Sequence, residues 1–152
     1  MIRFLFRLVR LAFVLILGAA LAAKFLLESH AGEDTEEIDL VNIFGSFNLS
    51  SAADPFFGGK ITTAFGGTHL DLRRVVPAPT GIYLDVLVLF GGLSLVVPPD
   101  WRIVFDGALA AGRFEDLTRP VSDPDAPVLR VGGLITLAGV DVTSRPSLQP
   151  VT

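Results

Sequence analysis

The sequence predicts an all-β protein in which about five two-strand coils form a short β-solenoid or β-helix-like stack, preceded by one N-terminal transmembrane helix. Two observations predict the stack. A short phrase containing glycine recurs along the chain, and each copy is followed by an alternating or Val- and Leu-rich run that is typical of a strand. A long apolar segment close to the N-terminus predicts the helix.

The N-terminal segment, residues 4–27, contains an apolar run from Leu11 to Ala23. A helix needs about 20 residues to cross a bilayer, so residues 1–27 are long enough for a single-pass anchor that contacts membrane lipid. Three arginines precede the run and five acidic residues follow it, which predicts a cytoplasmic N-terminus and a body on the periplasmic or extracellular side. Small residues at 19–23 favour a cleavable signal peptide as the alternative, and an interfacial helix is a third.

Residues 28–38 are polar and acidic and have no apolar period, which predicts a solvated linker; the alternative is the capped first turn of a helix. We expect the β domain over residues 39–146 and a short tail over 147–152. After residue 40, no stretch keeps a helical period for ten residues, and prolines fall between the apolar runs, where they interrupt no strand ladder.

One glycine of each recurring phrase marks the repeat, and the successive steps are 21, 25, 21 and 27 residues. The extra phrase "DPFFGGK" at residues 54–60 lies off this period. A tight corner needs a positive φ or a missing Cβ, which explains a recurring glycine. The marked glycines are Gly45, Gly66, Gly91, Gly112 and Gly139.

The residue before each glycine is apolar, and we expect these side chains to stack inside the coils. They are Phe44, Phe65, Phe90, Ala111 and Ala138. Two of the phenylalanines, Phe65 and Phe90, are therefore expected to share one core with the strand residues that follow the second of them. Those strand residues are Leu93, Leu95 and Val97.

Several function classes have little support in the composition. Beyond Ala31 the chain carries 15 acidic and 8 basic residues, which argues against nucleic acid as a partner. Each Gly-Gly is followed by a strand-like run instead of a helix, so a phosphate-binding loop is not predicted. With no cysteine, two histidines and no nucleophile motif, the sequence predicts no catalytic residue, no metal and no cofactor.

Three residues are candidates for binding a partner. Arg73 and Arg74 end the phrase "HLDLRR", where the alternative is that Asp71 and Arg73 point outward and form surface ion pairs between neighbouring coils. Trp101 follows a Pro-Pro-Asp turn, where it is either a cap over the edge of the stack or a partner hot spot.

The phrases "IFGSFNLS", "FFGGKITTAFGGTHLDLRR", "LFGGLSLVVPPDWRI" and "LAGVDV", within residues 40–145, resemble the C-terminal domain of LiaF-like proteins, also called cell-wall-active antibiotics response proteins. The resemblance implies a membrane-tethered, β-rich domain without known catalysis. The better understood members restrain a sensor histidine kinase in envelope-stress sensing. Those members carry several transmembrane helices and a cytoplasmic domain, whereas this sequence has one candidate helix.

We therefore expect a non-enzymatic, membrane-anchored protein-interaction module. Its partners are expected to be other membrane proteins, either as an accessory subunit of a larger membrane complex or as an envelope-stress signalling regulator. The alternative is an extracellular carbohydrate-active or carbohydrate-binding β-helix. That function needs aromatic platforms beside acids, and the chain has one Trp and one Tyr, Trp101 and Tyr83.

Overall fold

The computed structural model describes residues 32–147 together with Val14. Residues 32–147 form eleven β-strands. The strands are β1 (Glu37–Asn42), β2 (Gly45–Ser50), β3 (Gly58–Ala64), β4 (Gly66–Asp71), β5 (Ile82–Leu89), β6 (Gly92–Val97), β7 (Arg102–Phe105), β8 (Ala108–Ala110), β9 (Arg113–Asp116), β10 (Val128–Thr136) and β11 (Gly139–Ser144).

All the strand pairs are parallel, and they form two sheets. Sheet 1 has the order β1-β3-β5-β10-β7, with β8 also paired to β10; sheet 2 has the order β2-β4-β6-β11-β9. The chain alternates between the sheets except at β7 and β8, which both lie in sheet 1. We group the strands into coils 1 to 5: β1–β2, β3–β4, β5–β6, β7–β9 and β10–β11. Coil 4 thus has three strands, whereas the sequence predicts two-strand coils. The parallel sheets, and the lack of any helix within residues 32–147, confirm the all-β prediction.

The order of the coils in space differs from their order in the sequence. Coil 5 lies between coils 3 and 4, because β10 pairs with both β5 and β7, and β11 pairs with both β6 and β9. The register places Ser94 beside Asp141, and Asp141 in turn beside Glu115. The long strand β10 thus has partners on both sides, while the short strands of coil 4 occupy the edges, where short strands are well tolerated.

The segment Pro98–Trp101 carries the chain past the position that coil 5 occupies. It connects β6 of coil 3 to β7 of coil 4, and Arg102 N donates to Pro127 O, just before β10, at 2.8 Å. The Trp101 side chain is only 2% exposed and belongs to the main core. At the Pro-Pro-Asp-Trp phrase the chain therefore passes from coil 3 to coil 4, which lies two positions away along the stack. The Trp101 side chain packs in the core beside this connection.

The core lies between the two sheets, and the long strands such as β1 and β5 contribute every second residue to it. Leu93, Leu95 and Val97 are buried as expected. The off-period phrase also contributes, since Phe56 is fully buried at the end of the coils opposite the recurring glycine corners. Gly58 and Gly59 follow it with φ of 114° and 129°, so this phrase begins β3 and is not a sixth coil.

The expected linker over residues 28–38 is wrong at its C-terminal end. Strand β1 begins at Glu37, and Ile38 is buried. Backbone hydrogen bonds from Ala52 N to Glu33 O (2.6 Å) and from Phe57 N to Glu36 O (2.9 Å) attach the preceding residues to the sheets. Because the outward-facing residues at the start of β1 are acidic, the composition of this strand resembles that of a solvated linker.

The expected anchor, residues 1–27, lies outside the described residues except for Val14, and most of the tail does as well. Within the described part of the chain, no helix has the length and apolarity needed to cross a membrane.

Candidate functional site

A ridge of side chains runs along the corner between the two sheets, across all five coils. We call it the corner ridge, and it consists of Phe44, Phe65, Phe90, Leu137 and Ala111, in the spatial order of the coils. The first three rings stack, with centroids 5.5 Å and 5.1 Å apart. Phe65 is 46% exposed and Phe90 50% exposed. The prediction that these two rings lie inside the core is therefore wrong.

The backbone at the corner explains why the rings point outward. Phe65, Phe90, Ala111 and Leu137 have φ between 49° and 53°, in the left-handed region. This conformation interrupts the alternation of the strand, so the residue at the corner leaves the core even though it is apolar. For residues other than glycine, the left-handed conformation costs about 1–2 kcal/mol each. The chain therefore has non-glycine residues at corner positions where glycine would be less strained.

Of the two reasons expected for the glycine that follows, a positive φ and a missing Cβ, the second applies at Gly66 and Gly91. Gly66 and Gly91 do not have positive φ; among the marked glycines only Gly45 does, at 93°. A Cβ on Gly66 would overlap the carbonyl oxygen of Gly45, and a Cβ on Gly91 would overlap the carbonyl oxygen of Gly66. The close approach of neighbouring backbones at the corner therefore excludes a side chain.

The repeat alignment is wrong by one residue in coil 5. Gly139 pairs with Gly92, which places Ala138 beside Gly91 and makes Leu137 the corner residue. Ala138, expected at the corner, instead packs against the core while partly buried. The phrase "LAG" contains two small residues, and the sequence alone does not show which of them occupies the glycine position.

The surface around the corner ridge is almost uncharged. The segments that turn the corner are 42–46, 64–67, 89–92, 136–139 and 110–113. Arg113 is the only charged residue in these segments, although the chain carries a formal net charge of −4. An exposed, contiguous apolar surface of this kind is typical of a binding site on a soluble domain.

The three predicted binding residues lie together at the opposite ends of the coils. Arg73, Arg74 and Trp101 line one cleft of about 520 Å³, which we call the turn cleft; Asp54 and Asp100 also line it. Nothing in the sequence indicates that Trp101 lies near the arginines, because the arginines follow β4 of coil 2 and Trp101 follows β6 of coil 3. Arginines and aspartates lie close together there, so the cleft has no single sign of charge.

Arg73 is held by the carboxylate of Asp71 within its own coil. The Arg73 backbone N donates to Asp71 Oδ1 at 3.0 Å, Nε donates to the same oxygen at 2.9 Å, and a terminal nitrogen donates to Oδ2 at 2.6 Å. Partial burial alone would raise the pKa of Asp71, but the hydrogen bonds from Arg73 outweigh it and lower that pKa below its usual value. The ion pair is thus local and does not join neighbouring coils.

The two remaining candidates differ in their availability. Arg74 is exposed, and no carboxylate of the described residues forms an ion pair with it. Trp101 is buried and offers little surface to a partner. The turn cleft therefore presents one free guanidinium, a weaker basis for recognition than the corner ridge.

In the described part of the chain, acidic and histidine side chains do not converge on a metal site. Within residues 32–147, no three or more His, Asp or Glu side chains are placed to hold a metal ion. Glu115 pairs with Arg113 at 3.3 Å, and Asp116 accepts hydrogen bonds from the backbone and hydroxyl of Thr118. Each of these two adjacent carboxylates thus contacts a side chain close to it in the sequence and not the other carboxylate.

No protein-family model, curated protein or solved structure matches this chain. The resemblance to the LiaF-like domain stays a prediction that rests on the quoted phrases.

Proposed function

We propose that this protein is a non-enzymatic, membrane-anchored interaction module with a β-solenoid-like body of five coils. Residues 1–27 serve as its single-pass anchor, and the β domain lies on the periplasmic or extracellular side. It acts on other membrane proteins, as an accessory subunit of a membrane complex or as a regulator of envelope-stress signalling.

The corner ridge is the observation that carries this proposal. Three stacked rings and one leucine stand on the surface, in segments that contain one charged residue. Glycine at these corners would relieve the left-handed backbone, yet the chain has Phe, Ala or Leu at four of them. Backbone strain retained at an exposed apolar site is typical of functional surfaces.

The chemistry of the ridge favours a membrane-protein partner. A protein tethered beside a bilayer meets mainly other membrane proteins, and an uncharged aromatic strip suits an apolar, uncharged face on such a partner. No observation favours the carbohydrate alternative, because Trp101 is buried and Tyr83 lies on the outer face of sheet 1, away from the ridge.

A site-specific photo-crosslinker tests the proposal in native membranes. Placed at Phe90, a benzophenone side chain is expected to form an adduct with a distinct membrane protein upon irradiation. Tyr83 is the matched control, since it is an aromatic residue with similar exposure on a different surface. Equal adducts at both positions, or none at Phe90 in the full-length protein, would contradict the proposal.

The orientation of the anchor is tested separately. A reporter that is active only after export, fused after residue 152, is expected to be active. Activity of a reporter that works only in the cytoplasm would contradict the proposed localisation and would favour the topology of the LiaF-like family.

A further inference from the structure

The free end of coil 4 exposes part of the core. Register pairing aligns Ile103, Phe105, Leu109 and Phe114 with the inward-facing, buried residues of coil 5. Among the strands of residues 32–147, no further coil covers these positions of coil 4, and Leu109 is 49% exposed. The rings of Phe105 and Phe114 stack with centroids 4.3 Å apart, and they are only partly buried.

The strands at this end also lack a partner on their outer edge. Within residues 32–147, β7 and β8 pair only with β10, and β9 pairs only with β11. An unpaired edge beside an exposed core is a surface that another strand can extend. In sheet 1 the edge is interrupted between β7 and β8 at Asp106 and Gly107, so the continuous edge is β9 in sheet 2.

The outward-facing charges of one β9 strand are complementary to those of a second β9 strand that runs antiparallel to it. Phe114 faces the core, so its neighbours Arg113 and Glu115 face outward; they are 73% and 40% exposed. If two β9 strands pair antiparallel about a two-fold axis through Phe114, Arg113 of each copy lies opposite Glu115 of the other. Opposite charges in directly facing positions stabilise a strand pair, and the two phenylalanines meet on the core side.

The other end of the stack has the opposite property. In β1 the outward residues Glu37 and Asp39 are exposed and both acidic. An antiparallel pair of β1 strands would bring acidic side chains together, and like charges in such positions are destabilising. The outward positions of β2, among them Ser46 and Asn48, are uncharged and give no complementarity.

We propose that the coil 4 end binds a second copy of this chain, edge to edge through β9, and forms a closed two-fold dimer. The interface extends sheet 2 across the two copies and covers the exposed core residues of both. The interface is centred on Phe114 and adjoins the corner ridge at its coil 4 end, whereas Phe90 lies two coil positions away, so the dimer and the contact of a membrane partner at Phe90 are tested separately.

Charge reversal tests the pairing in the full-length protein, purified in mild detergent, with mass measured by light scattering after size exclusion. Wild type is expected to be a dimer. Arg113→Glu places glutamate opposite Glu115, and Glu115→Arg places arginine opposite Arg113, so each variant alone is expected to self-associate at least about tenfold more weakly. Lys60→Glu, an equal charge change on the exposed face of coil 2, is the matched control and is expected to stay dimeric.

Mixing the two reversed variants is the decisive step, because it restores both charge pairs only between chains. Differently tagged Arg113→Glu and Glu115→Arg proteins are expected to associate with each other more tightly than either variant associates with itself, and therefore to co-purify. Thermal melts of each variant show whether it is folded. The proposal is overturned if wild type is monomeric, if it forms assemblies larger than a dimer, if the reversed variants stay dimeric, or if folded variants fail to associate on mixing.

Discussion

Replacing Gly91 with alanine is expected to destabilise the fold, whereas the same change at its neighbour Gly92 is expected to be tolerated. A Cβ on Gly91 would overlap the Gly66 carbonyl oxygen, well inside the 3.0 Å that real Cβ contacts respect. A Cβ on Gly92 would meet only the Gly139 carbonyl oxygen at 3.7 Å, which is ordinary contact. Neither glycine has a positive φ, so the difference isolates the close approach of the coils.

The expected cost follows from what must move. To accept the new methyl group, coils 2 and 3 must separate at the corner, and overpacking of this kind costs about 1–3 kcal/mol. The movement also lengthens the hydrogen bond that joins coils 2 and 3 at this corner, from Phe65 N to Leu89 O, 3.0 Å long, at a cost of about 1 kcal/mol. We therefore expect a loss of about 2–4 kcal/mol for Gly91→Ala. For Gly92→Ala we expect no loss, or a gain below about 1 kcal/mol from the restricted unfolded chain.

Urea unfolding followed by circular dichroism measures both values. A second pair repeats the test one coil away, because a Cβ on Gly66 would overlap the Gly45 carbonyl oxygen while a Cβ on Gly67 would meet nothing within 4 Å. If the first and second glycines of each pair respond equally, the close approach of the coils is not what requires them.

Three further changes test other parts of the structure by urea unfolding. Phe90→Ala is expected to lower the free energy of unfolding by about 1–2 kcal/mol and Leu95→Ala by about 2–5 kcal/mol, because the phenylalanine is half exposed and the leucine is fully buried. A larger loss for Phe90→Ala would show that the ring lies in the core. Thr63→Val is expected to cost about 1 kcal/mol or more, because the buried hydroxyl makes a 2.7 Å hydrogen bond that valine lacks; a neutral result would show the bond to be dispensable. The folded protein holds the pKa of Asp71 below its unfolded value, so its stabilising effect is complete above about pH 4 and is lost as the pH falls through the folded pKa. Wild type should thus lose more stability between pH 5 and pH 2 than Asp71→Asn, and parallel losses would exclude the contribution of the ion pair with Arg73.

The number of coils could be predicted from the sequence because each coil has the same local requirement. At Gly45, Gly66, Gly91 and Gly112 the chain passes a corner, and three of these glycines also lie in a Gly-Gly or Phe-Gly phrase. The spacing of such phrases depends on the path of one coil and leaves a visible period. In coil 5 the position is filled by Ala138, and the nearby Gly139 led the alignment one residue too far.

The order of the coils could not be predicted, because the sequence period indicates the length of each coil but not which coils lie side by side. The inserted position of coil 5 depends on pairing between β6 and β11, which are distant in sequence. The outward direction of Phe65 and Phe90 was missed for a related reason. The alternation of apolar residues predicts which side chains face the core only within a strand. A residue with left-handed backbone between two strands does not continue the alternation of either strand.

The candidate site was predicted in part. The sequence indicates Arg73, Arg74 and Trp101 one by one, and the structure brings them to one cleft, where Trp101 is too buried to act as a hot spot. The corner ridge was present in the sequence as its phenylalanines, but hydrophobicity assigned them to the core.

The position of coil 5 between coils 3 and 4 supports both proposed surfaces, since it sets the order of the corner ridge and places β9 at a free end. The chain has no cysteine, so pairs of introduced cysteines test the position of coil 5 directly. Ser94→Cys with Asp141→Cys is expected to form a disulfide on mild oxidation, because these residues are register partners with their side-chain oxygens 2.8 Å apart. Ser94→Cys with Glu115→Cys, two coil positions apart at about 10 Å, is expected to stay reduced. A disulfide in the second variant and none in the first, identified by mass spectrometry of the digested monomer, would contradict the order of the coils.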